Sequence, residues 1–192
     1  LCGDRVPFGT DLLFESAGVV VGVELCEDLW VPIPPSSYLV QQGADIIVNL
    51  SATNELIGKH SYLLSLVRQQ SARCVAGYVY ASAGFGESST DLVFAGNGLV
   101  VENGSILAES KRFSSTPQLV VSEIDVERLR TERRVMTSFA KGAWAHGRDA
   151  RFIPFVFNDI PLRLTRKVGA FPFVPSDSLV LNERCAEILL SL

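Results

Sequence analysis

The first half of the chain shows short apolar runs, rich in Val and Ile, that alternate with longer segments. Residues 18–25 and 44–50 have the length and composition of strands buried on both faces, as in a parallel sheet. Residues 74–81 form a third run of this kind, and residues 59–73 before it carry leucines on a helical period. An order of strand, helix, strand predicts parallel strands joined by right-handed crossovers.

The pattern changes in the second half of the chain. Residues 98–102 and 105–109 flank an Asn-Gly pair, which predicts a β-hairpin because both turn positions favour positive φ. The apolar residues of 119–124 predict another strand, and the charged segment 126–135 predicts a helix capped by Asp125. These elements turn the parallel core into a mixed α/β sheet with helices on it.

Regular periodicity fades after residue 138. Prolines and phenylalanines punctuate residues 138–175, which predicts a long extended connection that packs by its aromatic side chains. A final helix follows, and residues 171–175 are the predicted domain boundary. The predicted domains are therefore residues 1–170 and a linker with the start of a second domain at 171–192.

The amino-acid composition argues against some classes of binding partner. The 192 residues are 47% hydrophobic, enough for a buried core in one domain. The net charge of -4 argues against a nucleic acid or an anionic membrane surface, and no apolar run reaches the length of a membrane span. The four cysteines show neither a CxxC pair nor zinc spacing, which predicts a reduced, cytoplasmic protein without a metal site.

Cys26 is the candidate nucleophile, because it ends the first predicted strand immediately before a tight turn. Reactive groups gather at the carboxyl ends of strands in open α/β sheets. A turn at that place exposes the thiol and aims the following backbone N–H groups at one point, where they can hold an oxyanion. On spacing alone, a small buried hydrophobic cysteine is the commoner interpretation, and it is kept for Cys2, Cys74 and Cys185.

Other chemistries find less support in the sequence. A papain-like site needs a histidine, and spacing selects neither His60 nor His146. Glu24, Glu27 and Asp28 are close in sequence, but they are unpersuasive as paired catalytic carboxylates, because Glu27 and Asp28 are better placed to shape the turn. The glycine-rich segment 84–89 fits neither the dinucleotide nor the P-loop pattern.

Four motifs in a fixed order carry a family resemblance. The most specific is Cys-Glu-Asp-Leu-Trp at 26–30, and the tail at 171–175 adds a further similarity. Together they resemble the glutaminase domain of glutamine-dependent NAD synthetases, within the nitrilase superfamily, and the linker that follows it. The other three motifs are Asn-Leu-Ser-Ala-Thr at 49–53 with Gly58 and Lys59, the segment 78–91, and residues 96–99 with 102–104.

The resemblance implies a nitrilase-like α-β-β-α sandwich and a Glu, Lys, Cys triad. In that family the cysteine attacks the side-chain amide of glutamine, which gives a glutamyl thioester and ammonia, and water then releases glutamate. The ammonia is used by a synthetase domain that binds ATP and Mg²⁺ and amidates nicotinate adenine dinucleotide. The resemblance implies no cofactor for these 192 residues, and it implies a homo-oligomer.

Five positions inherit roles from the family. Cys26 matches the nucleophile, and the backbone N–H of Glu27 matches an oxyanion donor. Thr53 matches a hydroxyl residue at the polar end of the substrate, and Trp30 belongs to the same substrate pocket. Lys59 stands where some members have an Arg that binds the α-carboxylate of glutamine.

One departure from the family pattern limits what the chain alone is expected to do. The family's triad Glu and Lys lie upstream of the cysteine, but only 25 residues precede Cys26 and none of them is Lys. Glu15 and Glu24 do not match the family's base. The sequence is therefore interpreted as the C-terminal part of a glutaminase domain, inactive alone. The alternatives are another nitrilase-superfamily amidase and a non-catalytic assembly module.

Overall fold

The computed structural model describes residues 3, 5–88, 90–142, 149–156, 164–166, 170–171, 174–175 and 177–191. The chain divides into two compact units, residues 1–162 and 163–192. Within the described residues no helix is long and apolar enough to cross a membrane. The strands are β1 (Leu12–Ser16), β2 (Val19–Leu25), β3 (Ile46–Ser51), β4 (Gly77–Ser82), β5 (Gly98–Glu102), β6 (Ser105–Glu109) and β7 (Arg151–Pro154). The helices are α1 (Pro35–Gln41), α2 (Lys59–Cys74), α3 (Val126–Val135), α4 (Thr137–Lys141) and α5 (Ser178–Leu190), with a 3₁₀ turn at Cys26–Trp30.

The strands form one seven-stranded sheet in the order β6-β5-β4-β3-β2-β1-β7. Strands β2, β3 and β4 are parallel neighbours, whereas β1 pairs antiparallel with β2, and β5 pairs antiparallel with β4. The predicted mixed α/β fold of the nitrilase type is confirmed. Because β2, β3 and β4 run the same way, the residues that follow them meet at one edge of the sheet.

The two faces of this sheet are covered unequally. One face, called here the helix face, lies under α1 and α2, and its core includes Leu39, Ile47 and Tyr78, each at most 3% exposed. Gly22 lies on this face because a Cβ there would come within 3.2 Å of Leu39. The opposite face, called here the open face, carries apolar side chains that remain partly exposed, including those of Val21, Val23, Ile46, Val48 and Val79.

The segment predicted as a strand at 119–124 is not a strand. It runs across the open face, where Ile124 lies against Gly77 and Val120 lies near Gly98. Its apolar residues therefore pack on a sheet face instead of pairing at a sheet edge. The predicted hairpin at β5 and β6 and the helix α3 are confirmed, and Asp125 caps α3 by accepting the backbone N–H of Arg128 at 2.9 Å.

Two strands went unpredicted, and one begins later than expected. β1 joins β2 through a turn at Ala17 and Gly18, both with positive φ, and β7 pairs parallel to β1 within the stretch predicted as an extended connection. The predicted strand at 74–81 begins instead at Gly77. Cys74 is the last residue of α2, and Val75 follows it with a φ of 48°.

The amino ends of the parallel strands are closed by α3. Asp45, 1% exposed, accepts the backbone N–H of Val20 at 2.9 Å and two hydrogen bonds from Arg130 at 2.9 and 2.6 Å. Hydrogen bonding to Asp45 raises the pKa of Arg130. Arg133 donates to the Val75 carbonyl at 2.9 Å. Helix α3 is therefore fixed to the sheet by charged contacts at this end.

Candidate active site

The turn after β2 holds Cys26 in a conformation that few residues adopt. Its φ is 47°, in the left-handed region that disfavours a side chain with a Cβ. Asp28 accepts the backbone N–H of Leu25 at 2.8 Å and so closes the turn, the shaping role predicted for this carboxylate. The first N–H groups of such a turn have no partner within it, and the N–H of Glu27 is one of them.

All five predicted site residues line one cavity of about 350 Å³. Two of them, Thr53 and Lys59, come from the loop after β3 and the start of α2, 27 and 33 residues beyond Cys26 in the sequence. Parallel pairing of β2 with β3 explains the convergence, because Leu25 lies opposite Leu50. The lining residues are Cys26, Glu27, Trp30, Ala52, Thr53, Asn54 and Lys59.

The Cys26 thiol has a hydroxyl neighbour within this cavity. Its Sγ lies 3.8 Å from Oγ1 of Thr53, and both residues are partly exposed. A thiol and a hydroxyl at this distance share a weak hydrogen bond, in which either atom can donate. The sulfur therefore faces both the cavity and a polar group that can meet a substrate.

Lys59 is held at the cavity wall by three contacts. Its Nζ donates to the Asn54 backbone oxygen at 2.9 Å and to the Asn54 side-chain oxygen at 3.1 Å. The same ammonium lies 5.1 Å from the ring centroid of Trp30, within cation–π range. Two of its three N–H donors are engaged, so one remains for a ligand. The indole of Trp30 also contacts Tyr62, with ring centroids 5.6 Å apart.

A buried hydrogen-bond network lies beneath the turn. Tyr78 donates its hydroxyl to Oε1 of Glu24, and Oε2 of Glu24 accepts the backbone N–H of Ser36 at 2.9 Å. Asn49 Nδ2 donates to the Tyr78 oxygen at 3.1 Å and reaches the Cys26 carbonyl at 3.5 Å. Burial and then the Glu24 charge raise the pKa of Tyr78, so its hydroxyl stays protonated and remains a donor.

The remaining candidates lie elsewhere. Cys74 is 5% exposed, and burial, followed by the Glu24 charge, raises the pKa of its thiol to about 11. Cys185 is exposed on α5, so the prediction of a buried cysteine is wrong at this position. His60 pairs its Nε2 with Glu109 at 3.1 Å and is not part of the cavity lining. Cys2 and His146 lie outside the described residues.

A second cavity, of about 400 Å³, lies beside the glycine-rich segment after β4. Its lining includes Phe85, Lys111, Ser114 and Thr116, and none of its lining residues is a Cys, His, Asp or Glu. It is slightly larger than the cavity at Cys26 but lacks a nucleophile or proton acceptor of those types. The cavity at Cys26 is therefore the candidate active site.

Sequence reasoning missed three residues that shape this site. Asn54, which holds Lys59, directly follows a quoted motif, and Asn49 opens that motif without being assigned a role. Glu24 was considered as a member of a carboxylate pair and as a match for the family's base, and was set aside in both roles. A signal was available for Glu24 and Asn49, because each is a polar residue at a position where a Val- or Ile-rich strand faces the core.

Sequence comparison shows the family to which the chain belongs. The sequence profile of the carbon-nitrogen hydrolase family matches residues 4–134, more than half of the chain, and the chain therefore belongs to that family. The glutamine-dependent NAD(+) synthetase of Mycobacterium bovis is 43% identical to it over 194 residues, which cover 96% of this chain and 28% of that protein. The predicted resemblance is confirmed. The chain spans less than a third of the length of such curated relatives.

Solved structures agree on the fold. Glutamine-dependent NAD+ synthetase from Acinetobacter baumannii has a TM-score of 0.53 and 25% identity, covering 61% of this chain and 22% of that one. The carbon-nitrogen hydrolase from Helicobacter pylori has a TM-score of 0.58 at 19% identity, covering 71% of this chain and 50% of that one, and this likeness concerns the fold alone.

Proposed function

We propose that this chain supplies the nucleophile and part of the substrate pocket of a glutaminase that feeds ammonia to NAD synthesis. The observation that carries the proposal is the single cavity in which Cys26 meets Thr53 and Lys59. The similarity to glutamine-dependent NAD(+) synthetase selects glutamine as the substrate. A glutamine molecule has an amide for the thiol at one end and an α-carboxylate for the ammonium at the other.

The proposed reaction begins with attack by Cys26 Sγ on the side-chain amide carbon. The carbonyl oxygen becomes an oxyanion that accepts the N–H of Glu27, and collapse of the intermediate expels ammonia and leaves a glutamyl thioester. Water then hydrolyses the thioester, which releases glutamate and restores the thiol. Lys59 binds the α-carboxylate through its remaining donor, and Thr53 orients the polar end of the substrate near the sulfur.

Other parts of the proposal rest on the family alone. The general base and the Lys of the triad are assigned to no residue of this chain, because no Lys occurs before Cys26 and neither Glu15 nor Glu24 matches the family's base. The ATP- and Mg²⁺-dependent amidation is likewise assigned to no residue of this chain. The homo-oligomer belongs to the proposal too, supported by the partly exposed apolar residues of the open face.

The test is glutamate release from glutamine by a protein that carries this chain at the full length of its relatives. Cys26→Ala should lower kcat by at least about 10⁴-fold, because loss of a nucleophile removes the triad's contribution as a unit. Cys74→Ala is the matched control and should retain the activity. Full activity in Cys26→Ala would reject the assignment, and turnover of small amides but not glutamine would favour a different amidase of the same family.

A further inference from the structure

The hydrogen bonds beneath the turn form a closed ring that returns to the nucleophile. Glu24 lies two residues before Cys26 on β2 and accepts the Tyr78 hydroxyl, which in turn accepts Asn49 Nδ2. The same Nδ2 reaches the carbonyl of Cys26 at 3.5 Å. The ring therefore ties three parallel strands to the backbone of the proposed nucleophile, and its side chains are not among the residues that line the cavity.

The direction of every donor in this ring is determined. Ser51 donates its hydroxyl to Asn49 Oδ1 at 2.7 Å, which turns the amide nitrogen toward Tyr78 and Cys26. Tyr78 keeps its proton for Glu24, because burial and the Glu24 charge raise its pKa. Glu24 and Asn49 are 2% and 1% exposed, so water does not substitute for these partners. A fully satisfied buried network of this kind rigidifies what it holds.

The backbone conformation of Cys26 requires stabilising contacts of this kind. A residue with a Cβ stays at a φ of 47° only where its surroundings over-determine it. The amino end of the sheet offers a matched case, since Val75 has a φ of 48° and its carbonyl accepts a hydrogen bond from Arg133 at 2.9 Å. At both ends a side-chain donor holds the carbonyl of the strained residue. Only at Cys26 does the strained residue also carry the proposed reacting atom.

We propose that Asn49 is a positioning residue for Cys26, oriented by Ser51 and braced by Tyr78 and Glu24. The proposal rests on the proposed function in one respect, that Cys26 is the reacting group. By holding the Cys26 carbonyl, Asn49 fixes the φ and ψ of the turn, and so the direction of Sγ and of the Glu27 N–H. A misplaced nucleophile slows the chemical step much more than it weakens substrate binding.

The experiment compares Asn49→Leu with Ser71→Ala in the same full-length protein. Leu matches Asn in size but cannot donate to Cys26. Ser71 is also fully buried and donates to the Ala76 carbonyl at 2.7 Å, but at the amino end of β4. Asn49→Leu should lower kcat for glutamine about 100-fold, with KM changed less than about threefold. Ser71→Ala should lower the melting temperature with kcat unchanged. An unchanged kcat in Asn49→Leu would overturn the proposal.

A second pair of variants keeps the test decisive if Asn49→Leu does not fold. Ser51→Ala removes the bond that orients Asn49 and should lower kcat about 3- to 10-fold, the effect of one neutral hydrogen bond. Ser51→Thr keeps the hydroxyl and should restore kcat to within about twofold. Equal kcat values in these two variants would overturn the proposal, whereas a loss in Ser51→Ala that Ser51→Thr rescues supports it.

A third measurement separates this inference from the proposed function. The rate at which iodoacetamide alkylates Cys26 requires no glutaminase activity, and it should change in Asn49→Leu but not in Ser71→Ala. If Cys26→Ala keeps full glutaminase activity, the proposed function fails, and the alkylation rates still decide whether Asn49 positions the thiol. If Cys26 is essential but neither kcat nor alkylation responds to Asn49→Leu, only the positioning role fails.

Discussion

The two ends of the parallel strands hold the same kind of residue in opposite settings. At the carboxyl end, Cys26 follows β2 and opens into a cavity beside Thr53. At the amino end, Cys74 closes α2 and is 5% exposed, with Gln70 Nε2 at 3.3 Å from its sulfur. Both are free thiols. Position relative to the strand ends, more than residue type, therefore separates the candidate nucleophile from a packing residue.

The charged groups at the two ends of the strands also differ in whether they are paired with an opposite charge. At the amino end, Asp45 and Arg130 satisfy each other, and helix α3 covers the strand ends. At the carboxyl end, the contacts of Lys59 with described residues are to neutral oxygens of Asn54 and to the Trp30 ring, none of which compensates its charge. A paired charge holds the fold together, whereas a cation without a counter-ion at a cavity wall is suited to bind an anion.

The largest expected difference between the two ends is thiol reactivity. A glutamine-like diazoketone should label Cys26 at least about 10³-fold faster than Cys74, because a buried thiol reacts only from rare open states. Peptide mapping after limited labelling of the full-length protein measures the ratio, and Cys185 serves as an exposed thiol outside the cavity. A label found mainly on Cys74 would reverse the comparison.

The next effect tests whether the amino end is structural. Asp45→Ala should lower the free energy of unfolding by roughly 2–4 kcal/mol, because it leaves Arg130 and the Val20 N–H without their acceptor. The lower part of that range applies because Arg130 is 36% exposed. Asp125→Ala, which removes only the cap of the same helix, is the matched control and should cost about 1 kcal/mol. Urea titration measures both.

An equal loss of unfolding free energy in Asp45→Ala and Asp125→Ala would show that the buried carboxylate stabilises the fold no more than an exposed helix cap does. The same variant also tests whether the amino end affects substrate binding, because Asp45 is not among the residues that line the cavity. In conditions where both proteins remain folded, Asp45→Ala should leave the KM for glutamine unchanged. A raised KM would mean that the two ends are coupled, contrary to the division drawn between them.

Local signals made part of the fold predictable from the sequence. The hairpin of β5 and β6 was predicted to the residue, because an Asn-Gly pair demands positive φ and the structure places Asn103 and Gly104 there. Helix α3 was equally local, with Asp125 as its cap. The prediction of a strand at 119–124 was wrong, because apolar residues that pack on a sheet face have the same sequence pattern as those of a paired strand.

The candidate site divides in the same way between local and long-range information. Cys26 could be located from its place after a strand, and the family motifs supplied Thr53 and Lys59. The contact of Asn49 with the Cys26 carbonyl joins residues 23 positions apart and depends on the register of β2 against β3. Spacing along the chain does not encode that register, so the ring beneath the turn emerged only from the structure.

The pH dependence of stability is expected to distinguish Cys74 from other thiols. Burial, and then Glu24, raises the pKa of Cys74 to about 11, so the folded state holds the thiol proton more tightly than the unfolded chain does. This stabilisation is complete below about pH 9 and is lost as the pH rises to 11. The loss amounts to roughly 2 kcal/mol by pH 11.

Urea unfolding of the unmodified protein and of Cys74→Ala at pH 8 and pH 11 isolates this contribution from other titrating groups. The stability difference between the two proteins should shrink by roughly 2 kcal/mol over that range. A difference that stays constant would show that Cys74 titrates alike in both states and is not the buried thiol of the comparison.

The smallest expected effect concerns Lys59, the cation at the carboxyl end of the strands. Lys59→Met keeps a long apolar side chain beside Trp30 but removes the ammonium that donates to Asn54. It should raise the KM for glutamine about tenfold, the value of one charged hydrogen bond at a partly exposed site, with kcat changed less. Lys111→Met, in the second cavity, is the control and should leave KM unchanged. Initial rates of glutamate release against glutamine concentration measure both KM values. Glutaramide lacks the α-carboxylate, so Lys59→Met and the unmodified protein should hydrolyse it alike. If KM for glutamine does not rise, Lys59 serves only to hold the loop at Asn54, and the α-carboxylate must bind elsewhere in the cavity.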